Sequence, residues 1–182
     1  MVVNILEKIF ETLKASNDRG YIGEEVSQLE HALQCAHFAA KMKDDPEVIL
    51  AALFHDIGHL MAPKDAPQMD QLGVLDHETI GAAILKEAGF TDKICQLVSN
   101  HVNGKRYLCF KNPSYYERLS EASKGTLRFQ GGPMEEVEAF QFEKSVYFDD
   151  HLIIRKSDEL AKVKDLKVLP IKHYQQLSSQ LL

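Results

Sequence analysis

The chain has 182 residues, of which 45% are hydrophobic and 26% are charged, and its formal net charge is −6. This composition is typical of a globular domain with a sizeable core. The acidic balance argues against nucleic acid as a partner, and no apolar run reaches the roughly 18 residues that a membrane span needs. Three cysteines without a CxxC motif predict reduced thiols and no cysteine metal ligands. Because the amphipathic N-terminus is also unlike a signal peptide, we predict a cytoplasmic protein.

Apolar residues recur at helical spacing through most of the chain, and no stretch has the alternation typical of a sheet. Asp45 and Pro46 form a helix start signal, Asp76 is a candidate cap, and Gly89 is a candidate stop. We therefore predict an all-α bundle of orthogonally crossed helices, folded as a single domain over residues 1–182. The predicted helices are 3–15, 25–42, 46–61, 77–88, 92–105, 115–129, 134–142, 149–162 and 170–182.

The apolar helix predicted over 46–61 carries His55 and Asp56 side by side, with His59 one turn later. Burying such groups without partners costs several kcal/mol, so something must compensate them. Adjacent helical residues point about 100° apart, which lets an imidazole and a carboxylate reach one cation from two directions. A metal site is the favoured interpretation, and a hydrogen-bonded His–Asp pair in the core is the alternative.

Other potential ligands lie on four further helical segments. Imidazole and carboxylate together suit iron, manganese or zinc. Four groups would serve one ion, which leaves two histidines without a purpose unless a second ion is present, with Asp56 as the bridge. Taken singly, His77 is explained as a surface group and His101 as a charge partner of a helix end. The six predicted metal ligands are His31, His55, Asp56, His77, His101 and Asp158.

Helix spacing also predicts an anion pocket beside these ligands. Lys105 follows His101 by four residues, and Arg155 precedes Asp158 by three, so each lies one turn from a predicted ligand. Ser123 is a small donor on a neighbouring segment, and a guanidinium suits a bidentate grip on an oxyanion. The alternative is that Lys105 and Arg155 are solvated surface charges.

The order of these residues resembles that of the HD-domain superfamily, and it is most similar to the mixed-valence di-iron oxygenases that cleave organophosphonates, distant kin of myo-inositol oxygenase. The resemblance covers about Tyr21 to Tyr174. The stretches that carry it include Leu53-Phe-His-Asp-Ile-Gly-His59, His101-Val-Asn-Gly-Lys105, Ser114-Tyr-Tyr116 and Gln130-Gly-Gly-Pro-Met134.

That resemblance implies two irons, Fe(II) and Fe(III), with O2 as co-substrate. One iron would take His31, His55, Asp56 and Asp158, and the other Asp56, His77 and His101. The implied reaction breaks the C–P bond of a 1-hydroxy-2-(amino or trimethylammonio)ethylphosphonate and releases phosphate with glycine or glycine betaine. The positions that match the family's phosphonate contacts are Lys105, Ser123, Arg155 and His59.

The same resemblance implies that Tyr21 and Glu24 form a lid, in which the tyrosine occupies an open iron position until substrate displaces it. The alternative is a tyrosine packed on the bundle beside an exposed glutamate. A quaternary ammonium on the substrate would favour aromatic contacts, for which Tyr107, Tyr115 and Tyr116 are candidates. The nitrogen substituent and the oligomeric state stay open at this point.

Two other functions compete with the oxygenase. A metal-dependent HD phosphohydrolase would use the same ligands to act on nucleotides or phosphate esters. A non-catalytic HD module would bind a nucleotide or a partner. Metal identity separates the three: iron indicates the oxygenase, manganese or zinc with phosphatase activity the hydrolase, and one metal or none the module.

Overall fold

The computed structural model describes residues 5–21 and 23–182. Within these residues the only β-type pairing is two isolated bridges, Gly20 with Ser27 and Gln68 with Val74. The predicted all-α class is therefore confirmed. The helices are α1 (Ile5–Ala15), α2 (Gln28–Met42), α3 (Pro46–Phe54), α4 (Ile57–Met61), α5 (His77–Glu87), α6 (Asp92–Ser99), α7 (His101–Lys111), α8 (Pro113–Arg118), α9 (Glu121–Phe129), α10 (Glu136–Glu143), α11 (Phe148–Leu160) and α12 (Ile171–Leu181), with a 3₁₀ turn at Ser16–Asp18.

Three of the predicted helices are divided in the structure. The helix predicted over 46–61 breaks at Asp56, whose backbone has φ −99° and ψ 8°. The helix predicted over 92–105 breaks at Asn100, and the one predicted over 115–129 breaks where Ser120 caps α9 by accepting from Ser123 N. The first two breaks lie at or beside predicted ligands. Residues 3 and 4 of the first predicted helix lie outside the described residues.

Local caps explain most of the helix starts. Asp45 accepts from the amides of Glu47 and Val48 at the start of α3, with Pro46 at the first turn, as predicted. Asp76 is the N-cap residue of α5, as predicted, but its backbone is left-handed (φ 58°) and its side chain makes no cap hydrogen bond. Gly89 has φ 92° just after α5, which is the conformation that favours glycine at a helix end.

The main core surrounds α3, whose residues from Val48 to Phe54 are all buried. Helices α2 and α6 pack against α3, α11 contacts both α2 and α3, and α5 packs against α4 and α6. Three predicted ligands lie on these helices and two more lie where α3 meets α4, so the core sets their relative positions. No helix within the described residues is long and apolar enough to cross a membrane.

Four charged side chains form a polar clamp that joins α2, α3, α6 and α11 at the ends away from the predicted metal site. The four residues are Lys43, Asp45, Lys93 and Asp150. Lys43, just after α2, contacts Asp150 of α11 at 2.5 Å. Lys93 of α6 contacts Asp45, the cap of α3, at 2.6 Å and Asp150 at 3.4 Å. Ten residues of helix, roughly 15 Å, separate Asp45 from His55. The clamp therefore fastens the ligand-bearing helices away from the predicted metal site.

Candidate metal centre and anion pocket

Four buried histidines each use one ring nitrogen to bind the backbone. The Nδ1 atoms of His31, His55, His77 and His101 donate to the carbonyls of Ala161, Ala52, Val74 and Val98 at 2.8 to 3.2 Å. When Nδ1 carries the proton of a neutral imidazole, Nε2 carries a lone pair. All four rings therefore present a metal-binding nitrogen on the side away from their own backbone.

These four nitrogens meet in two pairs. The Nε2 atoms of His31 and His55 are 3.4 Å apart, and those of His77 and His101 are 3.1 Å apart. Two lone pairs at such distances cannot hydrogen-bond to each other, and they repel unless a cation lies between them. The donor set therefore fits a metal ion at each pair.

Asp56 lies between the two pairs, at the break between α3 and α4. Its Oδ2 is 3.3 Å from His55 Nε2 and 3.9 Å from His31 Nε2. Its Oδ1 is 3.4 Å from His77 Nε2 and 3.6 Å from His101 Nε2. One oxygen thus faces each pair, which is the arrangement of a carboxylate that bridges two ions. Residues Asp56, His77 and His101 have ligand atoms close enough together to hold a metal ion.

Asp158 of α11 adds a carboxylate to the first histidine pair, His31 and His55. Its Oδ1 is 3.4 Å from His31 Nε2. Burial would raise the pKa of Asp158, but the Arg155 guanidinium together with His55 and His31 outweighs burial and holds that pKa well below its usual range. For His55, burial opposes protonation, yet the Asp56 carboxylate outweighs it and raises the imidazole pKa to about 9. The cluster therefore attracts positive charge, and bound metal ions would satisfy that attraction in place of a proton.

A cavity of about 210 Å³ opens on this cluster. Its wall joins predicted ligands from four helices to the predicted substrate contacts. Loop residues between α4 and α5, including Leu72 and Val74, close one side. The predicted site residues that line it are Tyr21, Asp56, His59, His77, His101, Lys105, Ser123, Arg155 and Asp158.

Two buried cations lie in this wall. Lys105 and Arg155 are only 5% and 4% exposed, so the alternative of solvated surface charges is wrong. Lys105 Nζ donates to Thr126 Oγ1 at 2.8 Å. Burial, and then the nearby Arg155 charge, lower the pKa of Lys105 to about 7. An anion bound between the two residues would offset both effects.

His59 lies against the second histidine pair. Its ring stacks on His77 with centroids 3.7 Å apart, and its Nδ1 accepts from Val74 N at 3.0 Å. Burial, and then His77, lower the pKa of His59 to about 4, so the ring is neutral near pH 7. A neutral ring that accepts at Nδ1 must carry its proton on Nε2. His59 is thus a donor in the cavity wall.

Tyr21 and Glu24 belong to a turn between the 3₁₀ turn and α2. The Tyr21 ring stacks on His31 with centroids 3.8 Å apart, and Glu24 N donates to Tyr21 O. The Glu24 carboxylate accepts from Lys162 Nζ at 2.6 Å and is not fully exposed. Ile22 of this turn lies outside the described residues. The turn borders the cavity, and its movement stays a prediction.

Comparison with known proteins agrees with this geometry. The family model for the HD domain matches residues 29–128. The chain belongs to the HD-domain family. This HD-domain protein is 38% identical over 171 residues to a protein of Leisingera caerulea named [1-hydroxy-2-(trimethylamino)ethyl]phosphonate dioxygenase (glycine-betaine-forming), covering 94% of this chain and 87% of that one. It is 37% identical over 171 residues to a protein of Gimesia maris named hydroxymethylphosphonate dioxygenase, covering 92% and 85%.

A third relative, an uncharacterized protein of Acanthamoeba polyphaga mimivirus, is 37% identical over 181 residues, covering 99% of this chain and 81% of that one. The predicted resemblance to HD-domain oxygenases of phosphonates is confirmed by these matches. That the whole chain forms a single domain stays a prediction, since the family model covers only its middle part.

Some residues of the HD-domain protein near the site were missed by sequence reasoning. The Cys35 thiol, predicted only to be reduced and not to bind a metal, lies 3.5 Å from His31 Nε2, and its position one turn after His31 was the available signal. Burial, and then Asp158 and Asp56, raise the pKa of Cys35 well above its usual range. Cys35 groups with His31 and His55 as a possible ligand set, but we do not count it among the proposed ligands because Asp56 and Asp158 offer carboxylates to the same histidine pair. Lys162 and Tyr115, which contact Glu24 and Arg155, had no signal in local spacing.

Proposed function

We propose that this HD-domain protein is a di-iron, O2-dependent oxygenase that cleaves the C–P bond of a small 1-hydroxyalkylphosphonate and releases phosphate. The observation that carries the proposal is the second histidine pair, His77 and His101, which shares Asp56 with the first pair beside a cavity lined by buried cations. The names of two relatives support an oxygenase that acts on phosphonates.

In this proposal His31, His55, Asp56 and Asp158 hold one iron, and Asp56, His77 and His101 hold the other. When bound as Fe(II) and Fe(III), the metals supply the redox chemistry by which O2 oxidises the carbon that bears the hydroxyl group. The smaller set of protein ligands at the second iron leaves room for further ligands, which catalysis requires. The protein's contribution is to fix the ligands, orient the substrate and exclude water.

The phosphonate binds to donors already present in the wall of the cavity. Lys105 and Arg155 supply positive charge, while Ser123 and His59 supply neutral hydrogen-bond donors. Lys105 takes up or keeps its proton when the anion binds, because the anion raises its lowered pKa. The phosphonate would thereby be held by Lys105 and Arg155 in the same cavity wall as the proposed iron ligands.

The finer form of the proposal concerns the nitrogen substituent of a 1-hydroxy-2-(amino or trimethylammonio)ethylphosphonate. The three candidate tyrosines do not line the cavity: Tyr107 bonds Glu143, Tyr115 bonds Arg155 and Glu159, and Tyr116 is 39% exposed. A quaternary ammonium needs aromatic faces, whereas a primary ammonium can donate hydrogen bonds. The Tyr21 ring does line the cavity, but one of its faces is stacked on His31. We therefore propose the primary amine, with glycine as the second product.

Aerobic incubation of the iron-loaded protein with a panel of 1-hydroxyalkylphosphonates tests the function. We expect O2-dependent release of phosphate from the aminoethyl compound, with the trimethylammonio and hydroxymethyl compounds as comparisons. An anaerobic reaction is the control for O2. Phosphate release from nucleotides or phosphate esters without O2, in the manganese- or zinc-loaded protein only, would instead establish the phosphohydrolase. No turnover of any phosphonate by a protein that contains two irons would refute the oxygenase.

A further inference from the structure

The Arg155 guanidinium is held by three side chains. Its Nη1 donates to Asp158 Oδ2 at 2.5 Å, and its Nε donates both to Tyr115 Oη at 2.7 Å and to Glu159 Oε1 at 2.9 Å. Asp158 and Glu159 lie three and four residues further along α11, so two of the bonds stay within one helix. The Tyr115 bond comes from α8, which is 40 residues earlier in the chain.

Tyr115 and Glu159 are also bonded to each other. The Tyr115 hydroxyl donates to Glu159 Oε1, which closes a triangle of hydrogen bonds with Arg155 Nε. Tyr115 is 6% exposed and packs with Cys109, Leu119 and Leu127. The start of α8 is fixed by Asn112, whose side chain accepts from Ser114 N. The packed ring and the capped helix α8 therefore hold the Tyr115 hydroxyl in position beside Arg155.

This triangle determines which part of Arg155 can meet a ligand. With Nε and Nη1 engaged, a planar guanidinium has no freedom to turn about its own axis. Nη2 makes no hydrogen bond to any residue in 5–21 or 23–182, and Arg155 lines the cavity. The side chain therefore presents Nη2, together with the second N–H of Nη1, as donors for an anion.

We propose that Tyr115 and Glu159 are positioning residues, which orient Arg155 so that its free edge binds the phosphoryl group of the substrate. The inference rests on the proposed function, because it assumes that the cavity takes a phosphonate. It assigns a purpose to Ser114-Tyr-Tyr116, a motif for which the proposed reaction has no other use. Without the hydroxyl, Nε keeps only Glu159, which is 34% exposed and loses its second anchor at the same time.

The test compares Tyr115→Phe with Tyr116→Phe in the iron-loaded protein, with inorganic phosphate as the probe. Tyr116 is the adjacent residue, is partly exposed, and contacts Lys124 through its ring face. Isothermal titration calorimetry gives the Kd for phosphate, while iron content and the melting temperature report on the site and the fold. We expect Tyr115→Phe to weaken phosphate binding about tenfold at unchanged iron content, as for a loss of about 1.4 kcal/mol. Tyr116→Phe should bind phosphate as the wild type does.

A second pair of variants separates positioning from packing. Glu159→Gln keeps an oxygen that accepts from Tyr115 and Arg155, so it should stay within about threefold of the wild-type Kd, whereas Glu159→Ala should weaken binding about tenfold. Equal Kd values for Tyr115→Phe, Tyr116→Phe and the wild type would overturn the inference. The inference would also be overturned if Tyr115→Phe lowered the melting temperature or the iron content but left the phosphate Kd of the iron-loaded chains unchanged. Phosphate binding is measured without turnover, so the Kd values can be interpreted even if the protein shows no oxygenase activity.

Discussion

The Nε2 atoms of His77 and His101 lie 3.1 Å apart, and each ring turns its Nδ1 to a backbone carbonyl. Burial, and then His77, lower the pKa of His101 well below its usual range, so protonation of His101 does not relieve the contact between the lone pairs. A metal ion relieves it, and it is this second pair that distinguishes a dinuclear centre from the four-ligand site at His31 and His55.

Replacing His101 with alanine should therefore remove one metal and keep the other. The ligands His31, His55, Asp56 and Asp158 stay in place, so we expect the iron content of His101→Ala to fall from about two to about one per chain. Inductively coupled plasma mass spectrometry measures the content, and the mixed-valence electron paramagnetic resonance signal should disappear. His173→Ala, at an exposed position on α12, is the control. Two irons retained in His101→Ala would contradict the assignment of the second site.

Gly58→Ala should disrupt the approach of α4 to α5. A Cβ at Gly58 would lie 1.9 Å from the His77 carbonyl oxygen and 2.9 Å from Gly81 N, both backbone atoms. We expect a loss of about 3 kcal/mol or more in the free energy of unfolding, together with reduced iron, because His77 must move. At Gly125, a Cβ would meet the flexible end of Leu72. Gly125→Ala should thus change stability by no more than about 1 kcal/mol in urea denaturation, and equal losses in the two variants would count against this account.

Tyr21→Phe tests whether the turn before α2 takes part in the metal centre. The ring stacks on His31, and burial, then Asp158, raise the pKa of its hydroxyl well above the usual range. If the hydroxyl occupies an open iron position before substrate binds, its removal should alter the resting absorption and paramagnetic resonance spectra while iron content stays the same. Tyr116→Phe serves as the comparison. An unchanged spectrum in Tyr21→Phe would argue for a tyrosine that merely packs on the bundle.

His151 gives the fold a dependence on pH that is separate from the metal centre. The His151 side chain is 2% exposed, and its Nδ1 has no partner among the described residues. Burial lowers its pKa to about 4, against the opposing effect of Asp150. Because the unfolded chain binds this proton more readily, the contribution is complete above pH 6.5 and is lost as pH falls towards 4. Its size is about 3 kcal/mol.

We expect iron-loaded His151→Gln to lose less stability than the wild type between pH 7 and pH 5, as measured by urea denaturation at both values. His173→Gln should follow the wild type, which controls for changes in the metal ligands over the same range. Parallel pH dependences in wild type and His151→Gln would mean that this imidazole does not change its charge on unfolding.

Helical spacing within each segment was enough to predict candidate ligands and the two nearby cations. His31, His77 and His101 are each flanked by apolar residues at core spacing, and Lys105 and Arg155 lie one turn from a ligand. Such signals depend only on residues about one helical turn apart, so they can be detected in a single sequence. Their convergence still depended on the resemblance, because spacing does not fix how helices cross.

Contacts between distant segments could not be obtained in this way. Glu24 and Lys162 are separated by 138 positions, and Tyr115 meets Glu159 across 44. The break at Asp56 was missed as well, since the run from Pro46 to Met61 has no glycine or proline before Gly58. Helix propensity is a weak prior there, and the packing of the ligands decides the backbone. A cytoplasmic location stays a prediction.

The polar clamp formed by Lys43, Asp45, Lys93 and Asp150 would affect how the protein acquires the metals we propose. Helices α3 and α11 are anchored at their first turns, so the gap between their ligands is fixed before any ion arrives. Uptake then needs little ordering of the chain, and less binding free energy is lost to entropy. Protein stripped by a chelator should consequently be reconstituted by simple addition of iron, with no refolding step.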